Sequence, residues 1–376
     1  MYSPPFETAL LLATEARSHC QPNPSVGCVV TGANGQQLGA GYTQPVGGPH
    51  AEVMALRDAQ AQGHSVVGAT AYVTLEPCSH HGRTGPCCDA LIAAGIKKVV
   101  ATIADPNPLV AGQGLTRLRA AGVEVEVLTP TDPLAHQSRE LNIGFFSRMI
   151  RKTPWVRMKI AASLDGKTAL DNGTSQWITS SDARADGHTW RSRSGAILTG
   201  IGTVLQDNPR LDVRLEGAHR QPHLAIVDSN LQTPVDAAIF TDGRPIYIYC
   251  AQKSKERQQA LEARGATVIH LPGALPDGSI TGKVDLMGML QDLGRREVNE
   301  LHVEAGQRLN GALIREGLVD ELLLYLAPKL LGQGRDMASF GPLEDLGKAL
   351  QLDFLSTQMV GPDMRLLARV RGRDVF

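Results

Sequence analysis

Pro49-His50-Ala51-Glu52, then Glu76-Pro77-Cys78, then Pro86-Cys87-Cys88 is the stretch on which the reading of the first third of this chain turns. One imidazole and two thiolates, from His50, Cys78 and Cys87, fill three corners of a tetrahedral zinc site and leave the fourth open, the ligand count of a catalytic rather than a structural zinc. Glu52 stands two residues from His50. A carboxylate beside the open corner can take a proton from an attacking water and later deliver it to a leaving amine, which is the requirement of hydrolytic deamination. A structural site would need a fourth protein ligand, from His80 or Cys88, and would leave Glu52 idle; Cys88 reads instead as a buried helix residue. His50 and Cys87 are each expected at the start of a helix, where unpaired backbone N–H groups favour a thiolate.

Working outward, a helical period over residues 5–19 leads into an apolar strand over 25–33. The Asn34-Gly35 pair is a hairpin signal, with a return strand over 38–43. A helix from about His50, a strand 69–76, a helix from Pro86, a strand 97–103, a helix from Gln113 and a strand 123–128 complete an α/β sandwich of helices on a mixed sheet. Gly112-Gln113-Gly114 lacks the third glycine of a dinucleotide fingerprint and reads as a turn. Thr129-Pro130-Thr131-Asp132-Pro133 breaks the pattern, and the basic run from Arg148 to Lys152 sets a boundary near 148, giving domains 1–147 and 148–376. The second series has strands over 155–161, 195–199, 223–228, 245–250, 267–271, 299–304 and 320–327. Its helices run over 181–193, 254–264, 285–295 and 307–317, a second and larger α/β domain.

Length and composition agree with two domains. The chain has 376 residues, too many for one ordinary core. Lysine and arginine number 37 against 38 aspartates and glutamates, a net charge of -1 that offers no broad cationic surface for a nucleic acid. The N-terminus lacks the pattern of a signal peptide and no apolar run is long enough to span a bilayer, so the expectation is a cytoplasmic protein with neither a nucleic-acid nor a membrane partner. Of the six cysteines, Cys78, Cys87 and Cys88 cluster as in a metal site, while Cys20, Cys28 and Cys250 read as ordinary thiols.

The His-x-Glu, Pro-Cys and second Cys follow the pattern of zinc nucleobase deaminases, in which two residues separate the cysteines; here eight do, Ser79 to Pro86. With Pro22-Asn23-Pro24-Ser25-Val26-Gly27 upstream, this longer insert resembles the deaminase domain of the bifunctional riboflavin-biosynthesis deaminase-reductases. The second half carries Lys159-Ile160-Ala161-Ala162-Ser163-Leu164-Asp165-Gly166-Lys167, Ser175-Gln176-Trp177-Ile178-Thr179, the run from Gly200 through Thr203, Asp207 and Leu211 to Arg214, Val227-Asp228-Ser229, and Glu304-Ala305-Gly306. These resemble the reductase domain of the same family.

The resemblance implies a cytidine-deaminase-like α/β/α sandwich followed by a dihydrofolate-reductase-like α/β domain. It implies Zn2+ on His50, Cys78 and Cys87, with Glu52 as proton carrier and Asn23 on the pyrimidine. It implies NADPH lined by Ala161, Trp177, Thr203, Asp207, Ser229 and the segment Gly306, Gln307, Arg308, Leu309, Asn310, Gly311 and Ala312. Ser175, Arg191, Leu211, Arg214 and Glu304 would face the substrate, the two arginines as phosphate clamps. His80, His81 and Arg83 are candidates for holding the ring or its phosphate, and Asp165 with Gly166 is either a turn or catalytic. The implied reaction is deamination of 2,5-diamino-6-(5-phosphoribosylamino)pyrimidin-4(3H)-one, then NADPH-dependent reduction of the ribosyl chain of 5-amino-6-(5-phosphoribosylamino)uracil. A homo-oligomer, dimer or tetramer, fits the family. Two rival readings are a polynucleotide deaminase with an attached recognition module, and a non-catalytic binding protein stapled by zinc.

Overall fold

The computed structural model describes residues 3–80, 85–108, 111–218, 220–241, 243–275 and 277–376. They form two compact units, Met1–Lys152 and Thr153–Phe376. The boundary lies beyond the expected position near 148 because a helix, Ile143–Arg151, runs through it and ends at Lys152, whose left-handed backbone (φ 64°) turns the chain out of the helix. Among the described residues no helix is long and apolar enough to cross a membrane.

The first unit runs α1 (Ser3–Ala16), β1 (Gly27–Thr31), β2 (Gln37–Tyr42), α2 (Ala51–Ala61), β3 (Thr70–Val73), α3 (Cys87–Ala93), β4 (Lys98–Ala101), α4 (Gln113–Ala120), β5 (Glu124–Val127), α5 (Pro133–Leu141) and α6 (Ile143–Arg151). The sheet order is β2-β1-β3-β4-β5, antiparallel across β2-β1-β3 and parallel across β3-β4-β5. Its hairpin turns where Asn34-Gly35 directs it, with Gly35 left-handed at φ 80°. The fully buried β1 allows α1 so close that a Cβ on Gly27 would lie 1.9 Å from the Ala9 carbonyl oxygen, so only glycine fits there.

The second unit runs β6 (Trp155–Ser163), β7 (Lys167–Leu170), α7 (Ser181–Arg193), β8 (Ala196–Gly200), α8 (Ile201–Asp207), β9 (His223–Val227), β10 (Ile246–Cys250), α9 (Lys255–Glu262), β11 (Ala266–His270), β12 (Pro272–Ala274), β13 (Ile280–Val284), α10 (Leu286–Arg295), β14 (Glu300–Val303), α11 (Gln307–Arg315), β15 (Glu321–Ala327), β16 (Gly334–Asp336), β17 (Leu352–Val360) and β18 (Asp363–Val370). A nine-stranded sheet has the order β11-β10-β9-β8-β14-β6-β15-β18-β17. It is parallel from β11 to β15, and the hairpin β17-β18, outside the series read from sequence, closes it antiparallel.

The two faces of this sheet differ. Val156, Met158, Ile160 and Ala162 of β6 enter an apolar core with Leu286, Met289, Leu290 and Leu293 of α10 and Leu313 of α11. The alternate residues, Arg157 and Lys159, point to the opposite face, where α7 packs Ala183 and Trp190 against Leu323 and Tyr325. Arg157 is buried there with its Nε 2.5 Å from Glu321 and its Nη1 2.6 Å from Glu300, under the Trp190 ring at 4.7 Å. Arg369 closes on the other oxygen of Glu321 at 3.2 Å. Replacing Arg157 removes the guanidinium that joins the buried Glu300 and Glu321 and leaves Arg369 as the cation on Glu321, a loss on the order of 3–5 kcal/mol. Arg157→Leu is therefore expected to lower the thermal midpoint of the second unit, measured by calorimetry on the full chain, and an unchanged midpoint would refute the pairing.

Candidate active sites

His50 is the N-cap of α2, with extended backbone, and Glu52 falls in the first helical turn. Cys78 lies in the loop after β3 and Cys87 is the first residue of α3. The ligand atoms of His50, Cys78 and Cys87 lie within 4.8 Å of one another. His50 Nδ1 stands 3.6 Å from Cys78 Sγ and 3.3 Å from Cys87 Sγ. Nitrogen and sulfur ligands of a tetrahedral zinc are separated by about 3.5 Å, given bonds of about 2.0 and 2.3 Å, so these three donors fit the ion. Cys88 does not join them: its buried S–H donates to the Cys78 carbonyl at 2.7 Å. His80 is exposed and stands outside the cluster, while His81 and Arg83 lie outside the described residues.

Charge is distributed unevenly in this cluster. Cys78 is brought down to about 4, because it accepts hydrogen bonds from the Cys87 thiol and from His50, and the Cys87 N–H lies 3.4 Å from its sulfur. Cys87 moves the other way, well above the ordinary thiol range, through the same hydrogen bond and through burial. The buried carboxyl of Glu52 rises to about 7, first by loss of solvent and then by the Cys78 charge. A carboxyl near neutrality can both take and return a proton. Asn23 sits in the loop before β1, whose buried Cys28 has its thiol pushed up by burial and then by the Glu52 charge.

Glu76, two residues before Cys78, was not singled out from sequence as a functional residue, and it organises the loop. Its buried carboxylate accepts N–H bonds from Asp105 (3.1 Å), Gly112 (3.0 Å), Gly114 (3.0 Å) and Leu115 (3.3 Å). The Gly112-Gln113-Gly114 turn thus serves the metal loop: a Cβ at Gly114 would lie 2.0 Å from the Pro77 oxygen. Gly114→Ala should push Pro77-Cys78 away and lower zinc content by tenfold or more at limiting metal, on the order of an outer-shell loss; full zinc retention in a metal assay would contradict this coupling.

In the second unit the expected residues gather at the C-terminal ends of parallel strands. Ala161 lies near the end of β6, Thr203 and Asp207 lie in α8 after β8, Ser229 follows β9, and Glu304 and Gly306 follow β14. Gly306 is the N-cap of α11. Within that helix the Asn310 side chain donates to the Met337 carbonyl, and a Cβ on Gly311 would meet the Ser339 oxygen at 1.8 Å, so both pack against the 337–339 segment. Trp177 is 63 % exposed and stacks on Arg184 at 4.3 Å. Ser175 is half-buried in the loop before it. Asp165 accepts N–H bonds from Leu331 and Gly332 and from the Ser163 hydroxyl, which makes it the anchor of a turn.

Arg191 and Glu304 meet directly. Arg191 Nε and Nη2 bond the two Glu304 oxygens at 2.5 and 2.9 Å, and Nη1 donates to the Asp212 carbonyl. Lys159 Nζ lies 3.7 Å from Glu304 and its pKa falls through burial. Arg214 bonds Asp212 at 2.5 Å and remains half exposed. His188, one turn before Arg191 on α7, accepts the Arg214 N–H at Nδ1 (3.3 Å) and is lowered to about 4 by burial and by the two guanidiniums. Lys159 and His188 had no assigned role in the sequence reading. A cation inside the apolar strand Trp155-Val156-Arg157-Met158-Lys159-Ile160 was the available signal for the first.

These features define a zinc-binding deaminase unit joined to a reductase unit. Residues 5–103 match the model of the cytidine and deoxycytidylate deaminase zinc-binding region, and residues 154–366 match that of the RibD C-terminal domain. The chain belongs to the RibD family of riboflavin biosynthesis, whose deaminase is cytidine-deaminase-like and whose reductase is dihydrofolate-reductase-like, and it is a bifunctional deaminase and reductase. It is 45 % identical over 365 residues to the riboflavin biosynthesis protein RibD of Escherichia coli, covering 95 % of this chain and 96 % of that one. Among solved structures it is similar to RibD of Acinetobacter baumannii (TM-score 0.86, 38 % identity, 97 % of both chains). It is also similar to a diaminohydroxyphosphoribosylaminopyrimidine deaminase/5-amino-6-(5-phosphoribosylamino)uracil reductase of Thermotoga maritima (TM-score 0.83, 30 % identity, 98 % of both chains).

Proposed function

We propose that the first unit, expected as domain 1–147, deaminates 2,5-diamino-6-(5-phosphoribosylamino)pyrimidin-4(3H)-one. The second unit, expected as domain 148–376, then reduces the ribosyl chain of the resulting 5-amino-6-(5-phosphoribosylamino)uracil with NADPH. The observation that carries the first half is a buried Glu52 beside three zinc-spaced donors. His50, Cys78 and Cys87 hold Zn2+, which when bound supplies the Lewis acidity that activates water. Glu52 takes the proton of the attacking water and returns it to the departing amine, a double use that suits a carboxyl near pH 7. Asn23 orients the pyrimidine.

In the second unit NADPH, when bound, would supply the hydride that reduces C1′ of the opened sugar. The free N–H groups of Gln307, Arg308 and Leu309, in the first turn of α11, suit its phosphates, whereas the N–H of Asn310 is already bonded to the Gly306 carbonyl. Gly311 and Ala312 lie deeper in that helix. Ala161, Trp177, Thr203, Asp207 and Ser229 line the rest. Arg214 and Leu211, with Ser175, hold the substrate phosphate. Arg191 fixes Glu304 toward the sugar, and Lys159 moves the proton that ring opening requires. All six cysteines are free, which supports a reducing, cytoplasmic compartment.

With the diaminopyrimidine ribosyl phosphate supplied, ammonia release without NADPH, followed by NADPH oxidation on its addition, is the expected order. Glu52→Gln should lower ammonia release by roughly 10²–10⁴-fold with zinc retained, and reduction of pre-deaminated substrate should persist. Equal ammonia release by the variant would overturn the assignment.

The protein forms a homo-oligomer through β17, an edge strand whose Phe354 and Met359 are 72 % and 59 % exposed. Phe354→Glu should shift the mass measured by light scattering toward the monomer; a wild-type chain monomeric at micromolar concentration would refute the interface.

A further inference from the structure

Residues 208–214 carry two of the expected substrate contacts, Leu211 and Arg214, yet no regular structure supports them. Asn208 and Leu211 are both left-handed, at φ 40° and 50°, a region that a branched side chain enters only under constraint. Without a strand ladder, the buried carbonyls of this loop need other donors. Four consecutive ones are met by side chains: Arg210 and Leu211 by Arg244, Asp212 by Arg191 (2.9 Å), and Val213 by Gln221 (2.9 Å). Gln221 also accepts the Val213 N–H at 2.7 Å, and the Asn208 side chain accepts the Ala238 N–H at 2.8 Å.

Arg244 is the unusual member of this set. It precedes β10, it is 8 % exposed, and its planar fork reaches the carbonyls of Arg210 (2.5 Å), Leu211 and Ile239 (3.3 Å). Among the described residues no carboxylate forms a salt bridge with it. The charged groups around it are Asp212, which favours its cation, and Arg191 and Arg210, which oppose it. A buried guanidinium held by backbone carbonyls alone is a costly arrangement for stability. Its geometric product is specific: one rigid group spans both sides of the left-handed Leu211 and ties it to the 239–244 segment.

We propose that Arg244 is a positioning residue of the reductase, which holds Leu211 left-handed and thereby aims the Leu211 backbone and the Arg214 guanidinium at the substrate phosphate without touching it. The proposal rests on the reading of Leu211 and Arg214 as substrate contacts. A single planar donor with several N–H groups in fixed directions cannot be replaced by an ammonium, which supplies the charge but not the fork.

The test uses the full-length zinc-loaded enzyme and pre-deaminated substrate, with Arg244→Ala, Arg244→Lys and Arg214→Ala. Arg214→Ala must raise KM for the phosphorylated substrate; an unchanged KM there sinks the underlying reading instead. For Arg244→Ala, KM for that substrate should rise about tenfold or more, with KM for NADPH and ammonia release both within about twofold of wild type. Millimolar guanidinium ion should restore part of the substrate KM, a rescue that a general loss of folding would not show. Arg244→Lys should retain the fold and still show the raised KM. It carries the test if the alanine variant is insoluble. The proposal is overturned if Arg244→Lys binds substrate as the wild type does while Arg214→Ala does not, or if substrate KM, NADPH KM and thermal midpoint all worsen together without rescue.

Discussion

Arg157 must face Glu300 and Glu321, and this pairing sets the register of the second unit. In the ladder Glu321 lies opposite Arg157, and on the other neighbouring strand Glu300 lies two positions away, on the same face as His302, which is Arg157's partner there. Side chains alternate along a strand, so a slip by one residue would drive a guanidinium into the apolar core occupied by Val156 and Met158. The same alternation carries the polar face two residues further along each strand. There Lys159, midway along β6, and Glu304, just past the end of β14, meet beside Arg191 of α7. The buried ion pairs thus specify the face from which the reductase site is built, whatever their net contribution to stability.

The first unit applies the same logic with opposite sign. Glu76 is a buried carboxylate whose partners are backbone N–H groups rather than a cation, three at the start of α4 and one, from Asp105, in the loop after β4. Helix starts leave such donors unpaired, and a carboxylate that accepts them is held rigidly. Cys78, two residues on, inherits that rigidity. With His50 and Cys87 at the starts of two other helices, three ligands converge before any metal arrives, which reduces the ordering that metal binding must impose.

The 208–214 loop differs from both. Its backbone has no ladder and no helix to satisfy it, so side chains from three separate segments take over that task. The loop can thereby adopt left-handed turns that regular structure forbids, and the substrate contacts it carries depend on residues remote in sequence.

Much of this was legible in the chain itself. His50, Glu52, Cys78 and Cys87 stand out because metal chemistry needs few residue types at short spacing, and Asn34-Gly35 dictates its turn through local sterics. The parallel strands of the second unit are also visible, as short apolar runs between helices. Other features were not local. The hairpin β17-β18 has a largely exposed first strand and so lacks the alternating burial that marks a strand. The helix Ile143–Arg151 crosses the composition boundary because its end is set by a backbone turn at Lys152. Glu76, Arg244, His188 and the Arg191–Glu304 pair acquire their roles only when segments up to 113 residues apart meet. Residue types and spacing determined the metal site and the order of elements, because those depend on covalent neighbours. Tertiary structure decided which buried charges meet, because pairing depends on register and burial, which no single segment contains.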